Sequence, residues 1–184
     1  MSRSIYIMLS MTGTKFSRFL RLCTNKEYTH VSLSLDKEMT QLYSFGRRSN
    51  YMPIIAGFVK ENPQGGVFSK YDTLCSVYEI EVSDEEYDRI RGLIASFLAE
   101  YKQYQYNFLG LPLIALQIPR RCRRHFVCSQ FVAYLITLGG VATFPKDYSI
   151  VQPEDFYTLK GLRPVYKGTL KEYIQQVRTI PAAV

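Results

Sequence analysis

Residues 126–138, Phe-Val-Cys-Ser-Gln-Phe-Val-Ala-Tyr-Leu-Ile-Thr-Leu, are apolar at nearly every position from Phe131 onward, and Gly139-Gly140 follows at once. A helix that is apolar around its whole circumference has no face to give to water, so it must be central and covered by other elements. The glycine pair ends it, because glycine readily takes the left-handed cap conformation. Only the first turn of such a helix can carry chemistry, and that turn holds Cys128. The backbone N–H groups of a helix start have no partner inside the helix, and the dipole there is positive. Both favour an anion, which draws a cysteine toward its nucleophilic thiolate form. The competing explanation is a structural thiol, since free cysteine is among the most buried residue types.

A chain of 184 residues can enclose such a helix within one domain spanning residues 1–184, burying roughly 70% of its unfolded surface. Twenty-six aromatic rings, 15 Tyr and 11 Phe with no Trp, supply interior volume. The formal charge of +7 points to acidic partners such as nucleic acid, a membrane surface or a cell-wall polymer. The four cysteines, Cys23, Cys75, Cys122 and Cys128, are scattered, and no C-x-x-C pair proposes a zinc site. We therefore expect no metal and no cofactor. The N-terminal apolar run over residues 5–9 is short for a signal peptide, and no stretch approaches the ~20 residues of a membrane span. The expected location is cytoplasmic.

In chain order, residues 4–10 predict a buried strand. Residues 15–23 predict a short basic amphipathic helix, with packing as its first role and membrane-surface contact as its second. Residues 29–36 alternate, with Val31, Leu33 and Leu35 on one face and His30, Ser32 and Ser34 on the other, as in a half-buried strand. Residues 41–46 resume strand character, giving a hairpin that places Tyr43 and Phe45 in the core and Ser44 beside His30. Residues 47–66 read as irregular, with Pro53, Gly57, Pro63 and Gly65-Gly66. A strand over 73–82 leads into a helix opened by Ser83 and Glu86 as a capping box, with Tyr87, Ile90, Ile94, Phe97, Leu98 and Tyr101 along its apolar face. The basic run Arg120-Arg121-Cys122-Arg123-Arg124 is either a solvated loop or an anion-attracting rim. A helical turn at 154–156, a strand at 162–166 and a helix at 170–177 complete the chain.

A thiolate nucleophile needs a base, and histidine is the usual one. The chain has two, His30 and His125. His30 opens a strand on its polar face. His125 is close to the cysteine in sequence, but its direction is undetermined. Thr29-His30-Val31, then Tyr106-Asn107-Phe108, then Phe126-Val127-Cys128-Ser129-Gln130-Phe131-Val132, with Pro153-Glu154-Asp155-Phe156 after them, resemble the circularly permuted NlpC-like branch of the papain superfamily. There the histidine strand precedes the cysteine helix. The resemblance covers roughly residues 28–160.

What the resemblance implies is an α+β permuted papain-like fold, with a central antiparallel sheet packed against the nucleophile-bearing helix and flanking helices. It implies a cysteine peptidase, amidase or acyltransferase in which Cys128 attacks a carbonyl and His30 moves the protons. Tyr106 becomes an oxyanion donor, and Asn107, Ser129 and Gln130 become neighbouring substrate-binding positions. Gln130 replaces the glutamate that relatives often carry. Ser44 is the candidate for the group that orients His30, because no Asp, Glu, Asn or His follows on the next strand as read here. The implied substrates are small peptides, amides or acyl lipids. The alternative is a non-catalytic module of the same fold that binds an anionic lipid, peptidoglycan fragment or nucleic acid through its basic surface. No helix-turn-helix or aromatic RNA-binding signature supports the last of these.

Overall fold

The computed structural model describes residues 3–14, 26–49 and 55–179. The amphipathic helix expected over 15–23 and the thiol of Cys23 lie outside the described residues. Eight strands form one sheet: β1 (Arg3–Met11), β2 (His30–Ser34), β3 (Leu42–Arg47), β4 (Ala56–Glu61), β5 (Leu74–Val82), β6 (Gln105–Tyr106), β7 (His125–Phe126) and β8 (Arg163–Thr169). Their spatial order is β7-β6-β4-β3-β2-β1-β5-β8. The described helices are α1 (Gly66–Lys70), α2 (Asp84–Ala99), α3 (Gly110–Ala115), α4 (Cys128–Leu138) and α5 (Leu170–Thr179). The architecture is α+β. The sheet is mixed rather than purely antiparallel, because β6 and β7 run parallel.

Both faces of the sheet are covered. On one, Ile5, Ile7, Leu9, Val31, Leu33, Tyr43, Phe45 and Phe58 meet the apolar sides of α2 and α4. On the other, Tyr6, Met8, Leu42, Cys75 and Val77 meet Leu170, Tyr173, Ile174 and Val177 of α5. This explains why β1 is apolar at successive positions instead of alternating. It also corrects the expectation of a half-buried β2. Ser32 and Ser34 are as fully buried as Val31 and Leu33, because the face that was expected to meet water is covered too.

Five phenylalanines lock α4 to the sheet. Phe131 is fully buried, with ring centroids 5.2 Å from Phe45, 5.4 Å from Phe58 and 5.0 Å from Phe97. Phe126 closes the cluster at 5.3 Å from Phe45. These are edge or tilted contacts, which the ring quadrupole favours over a face-to-face sandwich. Phe131 lies one helical turn after Cys128, so the cluster fixes where the cysteine-bearing turn sits.

At its start α2 follows the sequence reading. Ser83 accepts from the Glu86 N–H, and the Glu86 carboxylate accepts from the Ser83 N–H. Ile90, Ile94 and Phe97 are buried, but Leu98 and Tyr101 are exposed. The helix ends at Ala99, so Tyr101 leaves the apolar stripe.

The larger correction concerns residues 47–66. Residues 56–61 are not irregular but form β4, paired with β3 from Leu42↔Glu61 to Arg47↔Ala56. Glycine in a strand interior hides the pattern, since it weakens a strand on propensity grounds. Here it is required by packing: a Cβ on Gly57 would lie 2.3 Å from the Tyr104 carbonyl oxygen and 2.6 Å from the Arg48 guanidinium. That guanidinium donates to the carbonyls of Phe58, Tyr101 and Tyr104, joining β3, β4 and the approach to β6.

Truncating the ring at the centre of this packing should be costly. We expect Phe131→Ala to lower unfolding free energy by about 3–5 kcal/mol, measured by urea denaturation. Leu138→Ala, on the exposed end of the same helix, should stay within about 0.5 kcal/mol. Equal effects would show that the aromatic cluster does not anchor α4.

Candidate functional site

The site forms where the start of α4 meets a gap between two strands. β2 and β3 pair at Leu33↔Tyr43 and Ser34↔Leu42, and the register ends there. Toward His30, Val31 is left facing β3 without a strand partner. Its carbonyl accepts the Ser44 hydroxyl at 2.7 Å, and its N–H meets the Cys128 sulfur. The thiol thus completes the edge of the ladder where backbone pairing stops.

Local sequence fixes the helix start at that point. Val127 is extended (φ −93°), and its N–H donates to the Gln130 side-chain oxygen at 2.9 Å. The amide nitrogen of Gln130 donates to the Ser149 carbonyl at 2.6 Å. Gln130 therefore caps α4 and ties it to the turn at Tyr148–Ile150. It is buried, both ends of its amide are bonded to backbone, and it does not line the cavity, so the binding position expected of it is a structural one. A glutamine can accept and donate at once from one planar group, and a glutamate could not make the second bond.

His30 stands beside the thiol. Its Nε2 lies 2.8 Å from Glu61 Oε1, and the other carboxylate oxygen of Glu61 accepts the Ser32 hydroxyl. With Nε2 engaged by the carboxylate, Nδ1 is the ring nitrogen left for the Cys128 sulfur, with which His30 shares a hydrogen-bonding and charge interaction. Cys128, His30 and Glu61 thus stand in line as thiol, imidazole and carboxylate. The His30 and Glu61 side chains are only 18% and 10% exposed, so water screens their attraction weakly.

The protonation states follow from these contacts. Burial by itself favours the neutral imidazole, but Glu61 and Cys128 outweigh it and hold His30 well above the usual histidine range. Burial by itself favours the neutral thiol, but His30, with the N–H groups of Val31 and Ser129, outweighs it and holds Cys128 below the usual thiol range. Both shifts favour the charged form, so the thiolate and the imidazolium stabilise each other.

Tyr106 completes the immediate surroundings. It lies on β6, paired with Phe126 of β7, and its hydroxyl is a hydrogen-bond partner of Cys128. Burial first, and then the Cys128 charge, raise its pKa well above the phenol range, so it remains a protonated donor. A cavity of about 1080 Å³ opens in front of His30, Glu61 and Tyr106, with Phe45, Phe58 and Phe108 in its walls and Arg47 and Lys60 among its charged groups.

The remaining sequence candidates are placed differently. Ser44 does not orient His30. Its hydroxyl is used by Val31, and Glu61 takes the orienting role. Glu61 was missed because β4 was not recognised as a strand. Asn107 accepts from the Gly110 N–H at 3.0 Å and shapes the turn into α3, and it is not among the residues lining the cavity. Ser129 supplies its backbone N–H to the sulfur. His125 is exposed on β7. Residues 120–124 do not line the cavity, and Arg121 is paired with Asp147 at 2.7 Å and lies over the Tyr148 ring. Among the described residues no group of three or more His, Cys, Asp or Glu is placed to hold a metal ion. No helix among them is long and apolar enough to cross a membrane.

Removing the Glu61 charge gives a signed expectation. Without the carboxylate the His30 pKa falls and the imidazolium is lost at lower pH, so the Cys128 pKa rises. Glu61→Gln should move the pH midpoint of Cys128 alkylation upward by about one unit or more, followed by mass spectrometry of the labelled protein. Ser44→Ala should leave that midpoint in place. No family model, curated protein or solved structure matches this chain, and what the site does is therefore argued from its geometry.

Proposed function

We propose that the protein is a cysteine hydrolase or acyltransferase on a permuted papain-like fold, working through Cys128, His30 and Glu61. The observation that carries this reading is the placement of His30 between the thiol and the Glu61 carboxylate. A structural cysteine needs no base, and a structural histidine needs no buried carboxylate behind it. Perturbed protonation in a cleft, with a named charge partner, marks a functional site.

In the proposed reaction the Cys128 thiolate attacks the carbonyl carbon of an amide, ester or thioester. The carbonyl electron pair moves to oxygen. Cys128 is the first residue of α4, so its N–H has no acceptor within the helix and can stabilise that oxyanion. The protonated Tyr106 hydroxyl is the second donor. As the tetrahedral intermediate collapses, the bond to the leaving amine, alkoxide or thiolate breaks, and the His30 imidazolium gives it a proton. An acyl-thioester on Cys128 remains. His30, now neutral, takes a proton from water or another acceptor, whose oxygen or nitrogen attacks the thioester. The Cys128 thiolate is released. Glu61 keeps the ring oriented throughout and stabilises its charged form.

The cavity suits an acyl group with an apolar portion, because aromatic rings form much of its wall. Small peptides, amides and acyl lipids all carry the reacting group.

Two measurements test the proposal. Cys128 should react with iodoacetamide faster than a model thiol near pH 6.5, and intact-mass analysis with an activated ester should show a single acyl adduct on the wild type. Cys128→Ala should remove the adduct and lower any turnover by about 10⁴-fold. A Cys128 no more reactive than a free thiol at every pH would refute the proposed chemistry.

A further inference from the structure

The described part of the chain exposes several large hydrophobic side chains, but two of them stand apart. Leu109 is 86% exposed and Leu116 is 69% exposed. Phe108 and Ile118 are also exposed, so four such residues fall between positions 108 and 118. The basic run Arg120-Arg121-Cys122-Arg123-Arg124 follows immediately, with all four arginines exposed. We propose that residues 108–124 form a docking surface for an anionic lipid bilayer.

The backbone presents the apolar residues of this segment on one side, and the arginines follow it directly in the chain. Gly110 and Ile114, four apart, are the buried side of α3. Leu109, Pro112 and Leu116, at spacings of three and four, lie together on the opposite, outward side. The segment is pinned from behind. The Ile114 carbonyl accepts from the Gln152 and Gln117 side chains. Gln117 takes a positive φ of 56°, and Ile118 turns back to bond the Leu113 carbonyl at 2.8 Å. The outward leucines are therefore held in position, and among the described residues nothing covers the apolar surface they leave exposed.

Charge selects the occupant. Among the described residues Asp147 is the carboxylate that pairs with Arg121, and Arg120, Arg123 and Arg124 have none. A second copy of this face would bring like charges together. A nucleic acid would use the arginines but would leave Leu109 and Leu116 uncovered. An anionic bilayer satisfies both, since acyl chains accept the leucines and headgroups accept the guanidiniums. Phe108 belongs both to this patch and to the wall of the cavity, and its ring lies 4.7 Å from that of Tyr106. Docking would hold the cavity mouth beside the lipid surface. The inference stands independently of the chemistry proposed for Cys128.

The absence of tryptophan makes the test direct, because Leu109→Trp introduces a single reporter. With vesicles of phosphatidylcholine and phosphatidylglycerol, its fluorescence should shift to the blue and become quenchable by brominated acyl chains. Pure phosphatidylcholine should give a much smaller response. In sedimentation with the same anionic vesicles, the triple variant Arg120→Gln, Arg123→Gln, Arg124→Gln should bind on the order of a hundredfold more weakly, about fivefold per arginine. Leu109→Glu with Leu116→Glu should lose at least tenfold. Cys128→Ala should bind as the wild type does, which separates docking from catalysis. No blue shift on anionic vesicles overturns the proposal. So does binding that ignores the leucine substitutions, and so does association with duplex DNA that exceeds vesicle binding.

Discussion

The Val31 N–H meets the sulfur of Cys128 at the point where a neighbouring strand would ordinarily supply a carbonyl. Much of the site depends on that substitution. The strands β2 and β3 must part for the helix start to enter, and Ser44 satisfies the carbonyl that the parting leaves behind. An unpartnered buried backbone group would cost about 1–3 kcal/mol, so this seryl contact stabilises the opening even though it takes no part in proton transfer. The same opening places the His30 ring between the thiol and the far strand carrying Glu61.

Three supports act on this arrangement from different directions. Phe131 and its aromatic neighbours set the position of α4 relative to the sheet. Gln130 sets the geometry of its first turn and links that turn to the segment around Ser149. Gly57 allows Arg48 to draw β4 and the approach to β6 together, which places Tyr106. A thiolate and an imidazolium in a poorly hydrated setting attract strongly, but only if they are held at contact. Rigid packing supplies that condition. The charges then shift each other's protonation, and the shifted states are those that the proposed chemistry uses.

Legibility in the sequence tracked how local the determining physics was. The apolar α4, the capping box of α2 and the β2–β3 hairpin were readable because each is written in residues close together in the chain. His30 and Cys128 were readable because a strand-start histidine and a helix-start cysteine are recognisable as parts. Glu61 was not, since Ala56-Gly57-Phe58-Val59-Lys60-Glu61 shows little strand pattern. The glycine that obscures it is demanded by Tyr104 and Arg48, which are distant in the chain. Ser44, Asn107 and Gln130 are readable as polar residues of this region, but their hydrogen bonds in the structure go to backbone groups. Polar side chains beside a buried thiol and imidazole serve backbone groups as readily as ligands, and only the partner identifies which.

The sequence by itself determined that a wholly apolar helix would sit at the centre of the fold, with a cysteine in its one reachable turn, because no other placement buries that circumference. It also determined that a histidine would begin a neighbouring strand. The tertiary structure decided which carboxylate meets that histidine, that the thiol occupies a gap in the sheet, and that Leu109 and Leu116 at the two ends of α3 are left exposed. Those outcomes depend on strand register and on close approaches between segments far apart in the chain, which local pattern and propensity do not encode.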